Sequence, residues 1–188
     1  DLNGRVDTES AKRLVQTCLQ RGGNLSHVFS PGFKDPDGFD VHQIRGTYYS
    51  LLGCDDNAYL AARALQFFVP GIPQVYYVGL LAGANDEVQA ARSGDGREVN
   101  RHNYSIQEVD QEVQRLVVRK MIKLIRFRNS HPAFNGSFAM SSCSDHEIAL
   151  GWDNKNQHAG LRVDLQANTF EIECNDSLSG KAEVLSLG

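Results

Sequence analysis

The sequence predicts an α/β region followed by a small antiparallel β module, and three observations indicate this. A helical segment, a tight Pro-Gly turn and a short apolar strand follow one another between residues 56 and 78, as in a parallel α/β fold. A long amphipathic helix begins near Ser105. From Phe138 onward, short alternating segments are separated by turn residues, which is typical of antiparallel strands. We therefore place the boundary between residues 136 and 137.

The first predicted element is a helix that leads into a long loop. Asp7-Thr8 can cap this helix, which runs to about Arg21 with apolar residues at helical spacing. Gly22-Gly23 ends it, because glycine tolerates the left-handed backbone of a helix C-terminus. Residues 24–46 are rich in turn formers. Loops of this length are uncommon in compact domains and are often functional.

Two helical segments are predicted next. One begins at Thr47 and pauses at Gly53. Asp55 or Asp56 can cap its successor, because an acidic side chain at this position accepts from the helix's first backbone N–H groups. Pro70-Gly71 stops this second segment, since proline cannot continue a helix.

The segment Gln74–Val78 is predicted to be a strand. It is rich in aromatic and β-branched residues without alternation, which indicates burial on both faces in a parallel sheet. Another long loop follows, from Gly79 to Tyr104. Ser105 and Glu108 then match a capping box, which opens an amphipathic helix that ends before Pro132.

The last predicted part is a small all-β module covering residues 137–188. Residues 147–152, 160–165 and 169–174 show partial or clear alternation of apolar and polar side chains. Each such run is expected to form an antiparallel strand with one face toward a core.

Composition excludes several classes of protein. The formal net charge is −4, and there is no basic stripe of the kind that nucleic-acid binding requires. The uncharged run from Ala64 to Asn85 is interrupted by Pro70 to Pro73, so it indicates a core segment and no membrane partner. Four widely spaced cysteines are expected to stay reduced, and the N-terminus has no signal-peptide pattern. A cytoplasmic location is therefore expected.

A set of ordered sequence words resembles one known family. The words are Thr47 to Cys54, Ala61 to Phe68, Pro70 to Gly79, Gly83 to Asp86, and Gly96 to His102. Together they cover most of residues 40–135 and resemble the sucrose phosphorylase branch of the alpha-amylase family. The resemblance implies that residues 1–136 are the C-terminal portion of a (β/α)8 catalytic barrel, followed by a small β domain.

The resemblance also implies a chemistry. A carboxylate attacks the anomeric carbon of an α-glucoside, a second carboxyl group protonates the leaving sugar, and inorganic phosphate then takes the glucosyl group. The family places its catalytic acids on earlier barrel strands, and none is found in this chain. The isolated chain is therefore expected to be inactive, with the missing N-terminal barrel portion as a partner. No cofactor or metal is expected, and phosphate is a co-substrate.

Four residues are predicted to bind substrate, all in the two long loops, because barrel active sites lie at the loops that follow the strands. By the resemblance, Asp40, His42 and Gln43 lie in a loop that handles the acceptor sugar and phosphate, and Arg101 lies at the glucosyl subsite. Histidine replaces the tyrosine that is usual at position 42 in sucrose-specific members. A histidine there favours an anion, as in relatives acting on sucrose 6-phosphate, and glycerol is another acceptor to consider.

Other readings of the sequence stay open. Within the same family, water or another sugar can replace phosphate, which gives a hydrolase or transglucosidase. Residues 138–188 could instead form a carbohydrate-binding module of a non-catalytic protein, although its few aromatic residues are explained by burial. His102 is best explained as a packed histidine. The oligomeric state is left open, a homodimer included.

Overall fold

The chain divides into two compact units, which we describe separately. The computed structural model describes residues 6–26, 43–141, 144–175 and 182–185. Unit 1 comprises Asp1–Cys54 and Tyr77–Val109, and unit 2 comprises Asp55–Tyr76 and Asp110–Gly188.

Unit 1 consists of short helices and a two-stranded antiparallel ribbon. Its elements are α1 (Thr8–Gln20), β1 (Asn24–Ser26), β2 (Gln43–Arg45), α2 (Tyr48–Leu51), α4 (Tyr77–Leu80), α5 (Glu87–Ser93), a 3-10 helix (Gly96–Asn100) and the start of α6 (Ile106–Glu112). The predicted cap of α1 is confirmed, because the Asp7 carboxylate accepts from the Ser10 backbone N–H at 2.8 Å. Gly22 follows the helix with φ +78°, as predicted.

Unit 2 consists of two long helices and a five-stranded antiparallel sheet. Its elements are α3 (Asp56–Phe68), α7 (Leu116–Ser130), a 3-10 helix (Pro132–Asn135), β3 (Ser137–Ser141), β4 (Glu147–Asn154), β5 (Gln157–Asp164), β6 (Thr169–Asn175) and β7 (Ala182–Val184). The sheet is a meander in sequence order, β3-β4-β5-β6-β7. Helix α3 packs on α7 and on β5 and β6.

The core of unit 2 follows from the alternation of the strands. On β5, Leu161 and Val163 are buried, and on β6 Ile172 is paired with Leu161 and buried as well. Met121 and Leu124 of α7 are also buried, with at most 1% of their surface exposed. The three predicted strands are thus confirmed as β4, β5 and β6, whereas β7 carries too short an alternation to be recognised.

The predicted strand Gln74–Val78 is wrong. Residues 72–76 have no regular structure, and α4 begins at Tyr77. The Gln74 carbonyl oxygen accepts from the side-chain amide of Gln66 at 2.8 Å instead of from a strand. A parallel strand needs a neighbouring strand, and both sheets formed by the described residues are antiparallel and lie elsewhere in the chain.

Two further expectations need correction. The helix predicted from Ser105 to before Pro132 is two helices, α6 and α7, because residues 113–115 form a turn. The region from Gly79 to Tyr104 is not a plain loop, since it contains α4, α5 and a 3-10 helix. Strand β3 begins at the predicted boundary. As a division of a whole protein into barrel and β domain, that boundary stays a prediction.

The described cysteines are reduced, and the described helices are not membrane-spanning. Among the described residues, Cys18, Cys54 and Cys174 form no disulfide, and Cys18 and Cys174 are buried. None of the helices in the described ranges is both long enough and apolar enough to cross a bilayer.

Candidate functional site

The candidate site is built around the segment that ends in Arg101 and His102. The 3-10 helix Gly96–Asn100 leads directly into it, and Val99 anchors this helix with only 2% of its surface exposed. The Asp86 backbone N–H donates to the Val99 carbonyl oxygen at 2.8 Å. The segment is therefore fixed to the start of α5 by a buried side chain and by a backbone hydrogen bond.

Arg101 presents a half-exposed guanidinium on this fixed backbone. Its backbone N–H donates to the Glu98 carbonyl oxygen at 3.1 Å. Its Nη1 lies 3.9 Å from Glu98 Oε1, and 47% of its side chain is exposed. An exposed pair of this kind contributes roughly 0–1 kcal/mol. The guanidinium is thus able to turn to a ligand at little cost, and its rigid fork of donors suits sugar hydroxyls.

His102 is held between two carboxylates. Its Nδ1 lies 2.7 Å from Asp86 Oδ2, and its Nε2 lies 3.4 Å from Glu108 Oε1. Both carboxylates have second partners in backbone N–H groups: Asp86 accepts from Gln89 at 2.8 Å, and Glu108 accepts from Ser105 at 2.7 Å. The predicted capping box of α6 is therefore confirmed, and its Glu108 also reaches the histidine.

These contacts shift the proton equilibria of all three groups. The pKa of His102 is raised, mainly by the hydrogen bond to Asp86, while partial burial acts in the opposite direction. The pKa of Asp86 is lowered, mainly by the hydrogen bond with His102. The pKa of Glu108 is lowered, mainly by the backbone N–H of Ser105. Each shift favours the charged form of its group relative to the isolated side chain, because the cationic ring and the anionic carboxylates stabilise one another.

Two tyrosines complete the surroundings of His102. The Tyr77 hydroxyl donates to the His102 carbonyl oxygen at 2.9 Å. The Tyr104 ring meets the imidazole edge-on, with 4.6 Å between ring centroids, and packs in the same way on Tyr77 at 6.2 Å. Both the main chain and the side chain of His102 are therefore fixed.

The ribbon that carries Gln43 lies against the same 3-10 helix. Gln43 is exposed and is paired with Ser26, at the end of the ribbon where residues 27–42 connect the two strands in sequence. At the other end, the Asn24 side-chain amide donates to the Gly96 carbonyl oxygen at 2.9 Å. A Cβ at Gly96 would lie 2.8 Å from Arg45 Nη1, so glycine permits this close approach. The structure thus brings together the ends of the two loops that the sequence singled out.

The structure describes two of the four predicted site residues. Asp40 and His42 lie outside the described residues. Gln43 and Arg101 are described, and both are accessible to a ligand. Their roles in binding a substrate stay predictions. No local sequence pattern indicates Asp86 as a site residue, and the spacing of Glu108 from Ser105 indicates only the helix cap.

The cluster is suited to binding and not to bond cleavage. Asp86 and Glu108 are already committed to His102 and to the first N–H groups of two helices, so neither is an available nucleophile or acid. Among the residues of the described ranges, no group of His, Cys, Asp and Glu is arranged to hold a metal ion. What the site offers a ligand is the Arg101 guanidinium beside a rigid support.

Comparisons with known proteins identify relatives of the chain. No family model matches it. It is 55% identical over 173 residues to the sucrose 6(F)-phosphate phosphorylase of Thermoanaerobacterium thermosaccharolyticum, covering 92% of this chain and 36% of that protein. It is 48% identical over 160 residues to the sucrose phosphorylase of Agrobacterium vitis, covering 85% of this chain and 32% of that protein.

A solved structure matches over nearly the whole chain. The crystal structure of sucrose 6F-phosphate phosphorylase from Thermoanaerobacter thermosaccharolyticum superposes with a TM-score of 0.95 at 50% identity, covering 98% of this chain and 37% of that chain. The chain therefore spans about a third of the length of the relatives it matches. The match confirms the predicted fold class, the C-terminal part of a (β/α)8 barrel followed by a small antiparallel β domain.

Proposed function

Because the chain belongs to the sucrose phosphorylase branch of the alpha-amylase family and matches its C-terminal portion, we propose that it forms part of a retaining glucosyl-transferring phosphorylase. The enzyme cleaves sucrose or sucrose 6-phosphate with inorganic phosphate and releases α-glucose 1-phosphate. The carboxyl groups that perform the displacement lie outside this chain. The chain supplies loops that bind the substrates.

One observation carries the proposal at the level of residues. Arg101 extends a half-exposed guanidinium from a backbone that Val99 and the clamped His102 hold on either side. Arg101 donates to hydroxyl groups of the glucosyl unit. Gln43, on a ribbon that packs against the same 3-10 helix, both donates to and accepts from the acceptor sugar.

The acceptor side of the substrate is assigned to the first loop. Asp40 accepts hydrogen bonds from sugar hydroxyls, and His42 pairs with the extra phosphate of sucrose 6-phosphate. The enzyme works without a cofactor, and its cytoplasmic location and its assembly as a homodimer stay predictions.

A chimeric enzyme tests the proposal. In it, this chain replaces the matching C-terminal segment of the Thermoanaerobacterium relative. We expect phosphate-dependent release of α-glucose 1-phosphate from sucrose 6-phosphate, with the unaltered relative as the reference. A folded chimera that releases only free glucose would identify a hydrolase, and one that turns over neither substrate would reject the proposal.

The role of His42 is tested in the same chimera. His42→Tyr should lower the preference for sucrose 6-phosphate over sucrose, measured as the ratio of kcat/KM values, by about tenfold or more. The reason is that a charge-assisted hydrogen bond to phosphate is worth roughly 1.5–3 kcal/mol. His27→Tyr serves as the control, because His27 belongs to the same predicted loop, residues 24–46, but lies outside residues 40–43. An unchanged ratio in the His42 variant would show that His42 does not bind the phosphate of sucrose 6-phosphate.

A further inference from the structure

The doubly clamped His102 has no role in the proposed chemistry, although it is the most constrained side chain of the candidate site. Two different elements supply its partners: Asp86 is the N-cap of α5, and Glu108 lies in the first turn of α6. The ring is about one-third exposed. A residue that only fills space in a core would not need a carboxylate at each ring nitrogen.

The hydrogen-bonding inventory of imidazole defines what the clamp does. A neutral ring has one N–H donor and one bare nitrogen acceptor, whereas the imidazolium has two donors. Both partners here are carboxylate oxygens, which accept only. The imidazolium therefore satisfies both contacts at once, and the neutral ring leaves one nitrogen facing a carboxylate with no proton between them. The stronger contact is the one to Asp86, at 2.7 Å against 3.4 Å for Glu108.

The clamp fixes the main chain on the C-terminal side of Arg101. The carboxylate of Asp86 binds the His102 ring. The backbone N–H of Asp86 donates to the carbonyl oxygen of Val99, two residues before Arg101. The Tyr77 hydroxyl holds the carbonyl oxygen of His102 itself. Arg101 thus lies between two anchored neighbours, and loss of the imidazole would leave the second of them held only by the Tyr77 hydroxyl.

We propose that His102 is a positioning residue for Arg101. The two ring nitrogens of His102 join α5 to α6, and this connection fixes the direction of the Arg101 guanidinium toward the glucosyl unit. This inference rests on the proposed function, in which Arg101 binds that unit. His102 itself does not touch the substrate.

The positioning role depends on pH. Among the described residues, the charged groups that act on the ring are Asp86 and Glu108, and the Tyr104 ring packs against it. Tyr77 contacts the His102 carbonyl oxygen, and Arg92 acts on Asp86. Because the pKa of His102 is raised, the full clamp persists below that raised value and loses one hydrogen bond as the pH rises through it. Glucosyl binding should weaken along the same limb.

A double-mutant cycle in the chimeric enzyme tests the inference. Arg101→Ala should lower kcat/KM for glucose 1-phosphate and for sucrose 6-phosphate by about 10- to 100-fold, because both substrates carry the same glucosyl unit. His102→Ala should lower both values by about tenfold or more through misplacement of the guanidinium. The double variant should be no worse than Arg101→Ala alone, because a positioning residue has nothing left to position.

Conservative variants separate the two contacts. His102→Asn places an amide N–H near the position of Nδ1 and keeps the Asp86 bond, and His102→Gln reaches only the weaker Glu108 contact. We expect Asn to restore activity to within about threefold of wild type, and Gln to restore less. The alkaline limb of the pH profile should be absent in His102→Asn, because an amide does not titrate. A role limited to stability would leave the pH profile unchanged.

A matched control exists in unit 2. His158 also lies between two carboxylates, Asp153 at 2.8 Å and Glu173 at 3.8 Å, but it belongs to the β sheet of unit 2, in which no residue is predicted to bind sugar. His158→Asn should leave both kcat/KM values unchanged. Losses from Arg101→Ala and His102→Ala that multiply in the double variant would overturn the inference and leave the proposed function standing. Absence of phosphorolysis in the parent chimera would overturn both. No effect of Arg101→Ala in an active chimera would overturn the inference and the glucosyl role of Arg101, and would leave the phosphorylase assignment standing.

Discussion

Trp152 is expected to be the most sensitive single side chain of unit 2. Its indole Nε1–H donates to the Phe68 carbonyl oxygen at 2.7 Å, and only 7% of its surface is exposed. Phe68 is the last residue of α3, whose terminal carbonyl groups have no partner within the helix. Trp152 therefore joins β4 to the end of α3 by a buried hydrogen bond.

The structure gives the magnitude of the loss. Trp152→Phe keeps an aromatic ring but leaves the Phe68 carbonyl buried and unpaired, at a cost of about 2 kcal/mol in the free energy of unfolding. Trp152→Leu also removes the ring contacts with Phe134 and Phe138, whose centroids lie 5.9 and 5.3 Å away. The total loss should then reach about 4 kcal/mol.

Urea unfolding followed by circular dichroism measures these losses. Fluorescence is unsuitable, because Trp152 is the only tryptophan of the chain. Met140→Ala on β3 is the control, since Met140 is 72% exposed and its truncation should change the free energy of unfolding by less than about 0.5 kcal/mol. If Trp152→Phe were as stable as Met140→Ala, the Phe68 carbonyl would not depend on the indole.

Two further predictions concern stability. Gly136→Ala should lower the free energy of unfolding in urea by about 1–3 kcal/mol, because its Cβ would collide with the backbone carbonyl of Asp153. Gly151→Ala is the control and should be neutral or stabilising by up to about 1 kcal/mol, because the atom nearest to its Cβ is 3.8 Å away. Equal effects of the two substitutions would contradict this. The stability contributed by the raised pKa of His102 is complete below its unfolded-state pKa and is lost as pH rises through its folded-state pKa. Thermal unfolding against pH should show this alkaline decline in the wild type and not in His102→Asn, and a decline shared by both would contradict it.

Much of the local structure was predictable because its signals are local. The caps at Asp7 and Asp55, the capping box at Ser105 and the alternation of β4 to β6 each lie within a few residues of sequence. Helix α5 was missed although its signals are present. Asp86 caps its start, and Gly94 ends it with φ +69°. The glycines around it favoured a loop.

The break between α6 and α7 was not predictable from residue preferences. No glycine or proline lies between Glu112 and Leu116. The backbone N–H groups of Gln114 and Arg115 turn instead to carbonyl oxygens three residues back. The predicted apolar stripe ran through both helices, yet Val109 of α6 is 37% exposed while Met121 of α7 is fully buried. The two helices thus differ in burial, although no residue type marks the break between them.

Pairwise roles within the candidate site depend on contacts that no local pattern records. Glu108 was assigned from its spacing to Ser105, and that assignment is confirmed, but its second contact joins it to His102, six residues back. Asp86 reaches the same ring from 16 residues away. A histidine flanked by such acids reads as an ordinary packed residue in sequence, because only folding brings the carboxylates together.

The failed strand at 74–78 shows the same limit from the opposite side. Its apolar residues without alternation indicate burial on both faces, yet Tyr76 is 54% and Tyr77 40% exposed. A parallel strand draws its hydrogen bonds from neighbours that are distant in sequence. None of the strands in the described ranges pairs with this run, so its composition alone does not make it a strand. Arg101 is comparable, because its half-exposed guanidinium has a function only if a ligand binds next to it.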